Sequence, residues 1–383
     1  MRVAIVHDWL VTYGGAERVL EELLALYPEA DLYSMVDHVP AAERGFLGGR
    51  TPRTSALQRL PFSRRRYRAY LPIMPLLVEQ FDLSAYDVVI SNSYAVAKGV
   101  LTGPDTVHVS FCQSPMRYAW DLQHQYLREA HLERGVRGWL ARYMLHRLRL
   151  WDARTAAGVD VFVANSSYIR RRIRKVYRRE SLVVHPPVHV ERFEVNEGAR
   201  DDFYVTASRL VPYKRIEVLA RAFALMPERT LVVIGDGPEM PRLRAMAPPN
   251  VRLLGQQPHG VLHEQLRRAR AFLFAAEEDF GIAPVEAQAC GTPVVAFGYG
   301  GARDTIRGPE CPEPTGLFFD EQTPEAVRAA VAEFERTAPR FTAAACRANA
   351  LRFSAERFRH EARQVVNDAV AEAERRRLPS LGD

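Results

Sequence analysis

The stretch AFLFAAEEDFGIAPVEAQACGTPVVAF, residues 271–297, sets two apolar runs of strand length on either side of a short helical segment. The first run, 271–276, is Ala, Phe and Leu without polar alternation, the pattern of a strand buried on both faces of a parallel sheet. It ends in the loop Glu-Glu-Asp-Phe-Gly at 277–281. A helix is expected to start around Ile282–Pro284, since proline is tolerated in a first helical turn. Gly291 ends that helix, and 293–297 is the next strand. Ligands of open parallel sheets bind beyond the carboxyl ends of the strands. Glu278 in the loop and Glu286 in the first turns of the helix both stand there. Acidic residues at a helix start also favour the helix alone, by about 0.3–1 kcal/mol each. That accounts for Glu286 and leaves Glu278 and the Phe-Gly unexplained.

Runs of the same kind recur at 3–7, 31–36, 87–91, 107–111, 160–164 and 182–185, then at 203–208, 230–235, 251–254 and 315–319. Helical patterns separate them. The expected fold class is α/β, with two Rossmann-like parallel sheets whose strand-end loops face a central cleft. Residues 1–190 would form the first domain and 196–350 the second, with a linker in the Pro-Pro and polar run at 185–202. A charge-laced helix over 354–377 is expected to pack back on the first domain.

The 383 residues suit two domains of ordinary size. Cys112, Cys290, Cys311 and Cys346 lack CxxC spacing, which argues against a zinc site or a disulfide framework and fits a reducing cytosol. No apolar run approaches the ~18 residues needed to span a bilayer, and the N-terminal run is too short for a signal peptide. The net charge of +6 is uneven: residues 1–195 hold 27 Lys and Arg against 20 Asp and Glu, whereas 196–383 hold 25 against 26. Anionic partners should meet the first half.

Other strand-end loops carry candidates. Gly14-Gly15 opens a helix with Val19, Leu20, Leu23 and Leu24 at helical spacing. A diglycine there lets an anion approach the helix amides, and it serves equally as a plain loop and cap. The loop is too long for the GxGxxG dinucleotide turn. Arg209 and Lys214 flank a Val-Pro turn after 203–208. Two cations at a strand mouth can neutralise a diphosphate, arginine as a bidentate fork and lysine as a point charge; a solvated surface pair is the alternative. Gly-Asp-Gly-Pro at 235–238 is a turn frequent in nucleotide-binding domains, and equally a structural one. Gly298, Gly300 and Gly301 make a further loop suited to a phosphate or a sugar ring.

Taken together, SRLVPYKRIEVL (208–219), GDGPE (235–239), EEDFGIAPVEAQACGTPVVAF (277–297), the glycines at 300–301 and TGLFF (315–319) resemble the family 4 retaining glycosyltransferases of GT-B fold. HDWLVTYGGAERVL (7–20) and SPMRYAWD (114–121) resemble the mannosyltransferase-like branch that builds O-antigen and exopolysaccharide. The resemblance implies a transferase moving a hexose, mannose from GDP-mannose, to a lipid-linked or growing saccharide. Arg209 and Lys214 would hold the donor diphosphate, and Glu286 the ribose hydroxyls. Glu278 and the amides of Asp279, Phe280 and Gly281 would hold the transferred sugar. Gly15 would approach the distal phosphate. With no Asp-x-Asp in the chain, the two cations would stabilise the leaving diphosphate without a metal or other cofactor.

Relatives commonly carry a histidine before the SPMRYAWD-like segment; here it is Gln113. Glutamine hydrogen-bonds a sugar hydroxyl but does not titrate. Either no histidine is needed, or His7, His108 or His124 substitutes, or turnover is weak. Arg117 would contact an acceptor phosphate or make a surface salt bridge. A GT-B epimerase, a phosphorylase with a pyridoxal lysine, and a non-catalytic nucleotide-sugar binder or scaffold remain as other readings.

Residues 63–70, 139–154 and 168–179 are arginine-rich with interleaved aromatics. The middle one fits an amphipathic helix. Such stretches can lie on anionic lipid, and they occur as ordinary solvated helices too. No nucleic-acid motif supports RNA binding. The expected location is cytoplasmic, peripheral at the inner face of the plasma membrane.

Overall fold

Each of the twelve apolar runs folds as a strand in the computed structural model, which describes residues 1–196 and 198–377. The chain divides into two units, Met1–Pro186 with the chain from Phe358, and Pro187–Arg357.

The first unit holds β1 (Val3–His7), β2 (Asp31–Ser34), β3 (Arg53–Thr54), β4 (Val88–Ser93), β5 (Val107–Cys112), β6 (Val161–Ala164) and β7 (Ser181–Val183). They form one sheet in the order β3-β2-β1-β4-β5-β6-β7, and the pairings are parallel. β3 has only two residues and no apolar run, so the sequence pattern does not show it. The strands β1, β4 and β5 are buried throughout, which is why they read as continuous apolar runs. The helix Gly15–Leu26 lays Val19, Leu20, Leu23 and Leu24 on this sheet. From the chain's last helix, Ala355–Arg377, the residues Phe358, Ala362, Val365, Val366 and Ala369 join the same core at helical spacing. Arg359 pairs with Glu22 beside them. This is the helix that the sequence places after the second domain and back on the first.

The second unit holds β8 (Tyr204–Ala207), β9 (Leu231–Ile234), β10 (Val251–Gly255), β11 (Phe272–Phe274), β12 (Val294–Phe297) and β13 (Gly316–Phe319). Their order is β10-β9-β8-β11-β12-β13, again parallel. Part of the stretch read as a linker is packed here. Val188, Val190 and Phe193 are buried in the core, and Arg347 donates to the carbonyls of Val190 and Phe193 at 2.7 and 3.1 Å. Apolar side chains between the polar ones give it something to bury.

In both sheets the order reverses beside the first strand, between β1 and β4 and between β8 and β11. Such a switch point leaves a crevice at the strands' carboxyl ends. Each unit therefore has one place where loops from two directions meet.

His108 on β5 is fully buried, bonded to Ser91 Oγ at 2.9 Å and near Gly158 O at 3.3 Å. Burial pushes its imidazole down to about 4. The unfolded chain, with an ordinary histidine, takes up the proton first as pH falls. His108 therefore costs stability progressively from about pH 6.5 to pH 4, by about 3 kcal/mol in all. His108→Gln should be the less stable protein at pH 7, and the gap should close toward pH 4. Denaturant unfolding at several pH values measures it.

Candidate functional site

β8 runs into Ser208–Val211, a short turn at Pro212–Lys214, and the helix Ile216–Ala224. Arg215 takes φ 56°, a left-handed conformation unusual for a long side chain. The chain thus reverses directly after Lys214 and the helix begins at once. The Gly-Asp-Gly turn after β9 braces this loop. Leu210 N–H donates to Asp236 O at 2.9 Å and Glu239 N–H to Leu210 O at 3.1 Å. Gly235, at φ 125°, has no room for a side chain, since a Cβ would stand 1.9 Å from Ser208 O. Of the two readings of that turn, the packing one is visible in the structure.

From the other side of the switch point, β11 runs into Ala275–Gly281 and the helix Ile282–Ala289. Gly281 caps the helix at φ 90°, turning the chain sharply. Phe280 is buried edge-on against Phe353, so its side chain anchors the loop and only its backbone is left for a ligand. The loop is also held from behind. Gly301 N–H donates to Glu278 O at 2.8 Å, and a Cβ on Gly301 would lie 2.4 Å from Phe280 Cα. Gly300 and Gly301 are thus bare because the Glu278–Phe280 backbone needs their space. Gly301→Ala should cost about 1–3 kcal/mol of stability by overpacking and displace the 278–281 backbone. Urea unfolding and the affinity for a nucleoside diphosphate would both register it.

The two loops meet in an ion pair. Lys214 Nζ bonds the Glu278 carboxylate, with the side chains only 15% and 18% exposed. Arg209 is exposed and makes no side-chain ion pair among the described residues. One loop thus presents a paired cation, Lys214, and an exposed one, Arg209, and the other presents a carboxylate and the backbone of 279–281. Glu286 lies further along the helix, half-buried. Its charge acts on His263 of the helix His259–Arg268 and on the Cys290 thiol. Burial holds the His263 imidazole down and Glu286 opposes that; burial chiefly, then Glu286, push Cys290 up to about 12. The helix is pinned by Gln288, which donates to Pro284 O at 3.0 Å and Thr305 O at 2.9 Å and accepts from Asn349 at 2.6 Å. His263 carries no motif, and only the fold brings it to Glu286.

The first unit's switch point is occupied by its own side chains. The Asp8 carboxylate, fully buried, accepts from the amides of Tyr94, Ala95, Val96 and Ala97 at 2.6–2.9 Å. Burial raises its pKa, opposed by those amides and by His7. Glu17 closes a capping box on the Gly14 amide at 3.0 Å and meets His7 Nε2 at 3.2 Å. The cap reading of the diglycine therefore holds for Gly14, while the Gly15 amide has no acceptor among the described residues. Gln113 is half-buried, donating to Asn92 Oδ1 at 2.8 Å and accepting from Asn165 at 3.3 Å. Asn92 reaches His7 Nδ1 at 3.2 Å, so Gln113 and His7 share one polar network. His108 lies in the sheet and His124 on the surface. Arg117 is half-buried.

Comparison with known proteins bears on the family of the second unit and on the fold. Residues 187–351 match the family of glycosyl transferases group 1, starting where the second unit starts. This segment is a group 1 glycosyltransferase domain. A GDP-mannose-dependent alpha-(1-6)-phosphatidylinositol monomannoside mannosyltransferase of Mycobacterium tuberculosis is 32% identical over 214 residues, 47% of this chain and 54% of that protein. A D-inositol 3-phosphate glycosyltransferase of Thermomonospora curvata is 28% identical over 216 residues, 46% of this chain and 48% of that one. The chain spans about half the length of the curated relatives it matches. Among solved structures, Anabaena HepE in complex with UDP superposes with a TM-score of 0.68 at 16% identity, covering 96% of this chain and 100% of that one. Sucrose-phosphate synthase of Thermosynechococcus elongatus gives 0.70 at 17%, covering 97% and 100%. These likenesses are of fold, and the fold is GT-B. The switch point with the Lys214–Glu278 pair lies inside the group 1 domain. Gly15, Gln113 and Arg117 lie outside it.

Proposed function

We propose that the chain is a retaining, metal-independent hexosyltransferase. It would take mannose from GDP-mannose and pass it to a lipid-linked or growing saccharide in surface-polysaccharide synthesis. One observation carries the reading: a cation and a carboxylate meet across the switch point of the group 1 domain. A sugar diphosphate offers complements to both, phosphate oxygens for Lys214 and Arg209 and sugar hydroxyls for Glu278. The mycobacterial relative is GDP-mannose-dependent by name, which supports the choice of donor.

In the reaction the bond from the anomeric carbon to the diphosphate oxygen breaks, and its electron pair leaves with the diphosphate. The acceptor hydroxyl oxygen bonds the same carbon from the same face. Its proton passes to the departing phosphate oxygen, so Gln113 need not titrate. Lys214 and Arg209 stabilise the charge that develops on the leaving group. Glu286, with His263 beside it, is assigned to the ribose. Gly15 is assigned to the distal phosphate, and Gln113 and Arg117 to the sugar and acceptor.

The test is nucleoside diphosphate release from a panel of sugar nucleotides, with and without acceptor extract and with chelator. Release from GDP-mannose that needs acceptor and survives chelation supports the proposal. Release without acceptor points to an epimerase, and full activity in Lys214→Ala overturns the diphosphate assignment.

A further inference from the structure

The helix Gly135–Thr155 in the first unit has two apolar sides. Its inner side buries Gly138, Leu148 and Asp152, and Trp151 donates to Glu79 at 2.7 Å. At 3.6 residues per turn, Val136, Trp139, Leu140, Tyr143 and Leu150 fall in one stripe on the other side. That stripe is exposed, with Val136 at 84%, Trp139 at 66% and Leu150 at 54%. The Trp139 and Tyr143 rings stack flat, 5.9 Å apart at 7°. The buried side supplies the helix's packing, and the outer stripe is left about half or more open to solvent. Exposed apolar surface of this kind, here with the exposed Arg147 between Tyr143 and Leu150 in the same stripe, marks a docking site.

The charge around the stripe says what it fits. Between 130 and 151 the chain has five arginines and one acidic residue, Glu133. Arg142 and Arg149 turn inward onto the carbonyls of Glu133 and Ala119. Arg134, Arg137 and Arg147 are exposed and make no ion pair among the described residues. A neighbouring segment repeats the combination. Phe62 is 75% exposed at φ 58°, next to exposed Arg64, Arg65, Arg66 and Arg68, and Leu76 is 61% exposed. Glu79, three residues beyond Leu76, accepts from Arg154 in the last turn of the helix at 2.8 Å. A second copy of the chain would set these arginines against one another.

We propose that this face docks on an anionic lipid bilayer, with Trp139 and Tyr143 at headgroup level and the arginines on lipid phosphates. The proposal deepens the lipid-linked acceptor reading and rests on it for its purpose, though the surface stands without it. Among the described residues no helix is long and apolar enough to cross a membrane.

The experiment is co-sedimentation with vesicles of phosphatidylcholine alone and of phosphatidylcholine mixed with phosphatidylglycerol. The full chain should pellet with the mixed vesicles only. Trp139→Ser/Tyr143→Ser should lower the partition at least about tenfold, and Arg137→Gln and Arg147→Gln about fivefold each. Thermal unfolding and nucleoside diphosphate binding should stay as in the parent, so that either reading can fail alone. No pelleting, equal pelleting of the aromatic double variant, or a dimer in sedimentation velocity that this variant abolishes would each overturn the bilayer assignment.

Discussion

Glu278→Gln should bind a nucleoside diphosphate more tightly than the parent chain and transfer sugar about 10²–10³-fold more slowly. In the structure Lys214 is held by Glu278, so a diphosphate must first take the lysine from the carboxylate. Both groups are mostly shielded from water, which makes that competition stronger than at an open surface. Removing the charge of Glu278 while keeping its shape frees the lysine and removes a repulsion from the phosphates. A gain in diphosphate affinity of about fivefold corresponds to about 1 kcal/mol. The same substitution removes an acceptor that can take hydrogen bonds from the sugar, and transfer falls. Lys214→Ala should behave oppositely in binding, losing affinity for the diphosphate, and alike in transfer. Calorimetry with the diphosphate and turnover with the sugar nucleotide separate the two effects. Loss of diphosphate affinity in Glu278→Gln would mean that the ion pair organises the site instead of competing for its lysine.

The sequence shows this site in part, and the division has physical causes. Strands buried on both faces announce themselves as unbroken apolar runs, so the sheets and their loops could be placed to within two residues. Lys214 and Glu278 were visible because they follow such runs, and the C-terminal helix because it is one long charge-laced segment after the last strand; the apolar face it lays on the first sheet is seen only in the fold. β3 has two residues and only a sheet edge to define it. Asp8 sits in plain view after β1, yet its role depends on four amides more than 80 residues away. The charge of Glu286 reaches His263 only because two helices pack together. Gly300 and Gly301 read as a ligand cradle, whereas their space is filled by the backbone of the Glu278 loop. A glycine records that something comes close, and the local sequence does not say whether a ligand or a neighbouring loop does.

Lys98→Met should destabilise the first unit by about 3–5 kcal/mol, the loss expected when one partner of a buried ion pair is removed. Lys98 lies just beyond β4 with its side chain 2% exposed, and Nζ meets Asp152 Oδ1 at 2.8 Å. It also donates to Asp152 O at 2.8 Å and Thr155 Oγ1 at 2.9 Å. Asp152 further accepts from Trp120 Nε1 at 2.7 Å and Tyr177 O–H at 3.0 Å. This cluster ties the loop after β4 to the last turn of the helix that carries Trp139 and Tyr143. It also leaves Lys98 no freedom to form a Schiff base, unlike the pyridoxal lysine of a phosphorylase. Methionine fills the stem's volume but leaves the Asp152 carboxylate buried without its counter-charge. Asp152→Asn in the Lys98→Met background should recover part of the loss, because the amide keeps an acceptor for Trp120 and Tyr177 without a charge. Asp152→Leu should recover less, since it orphans both donors. Urea unfolding of the three variants gives the order directly. If Lys98→Met alone lost no more than an exposed substitution, the pair would be wet in solution, and the helix would need another anchor.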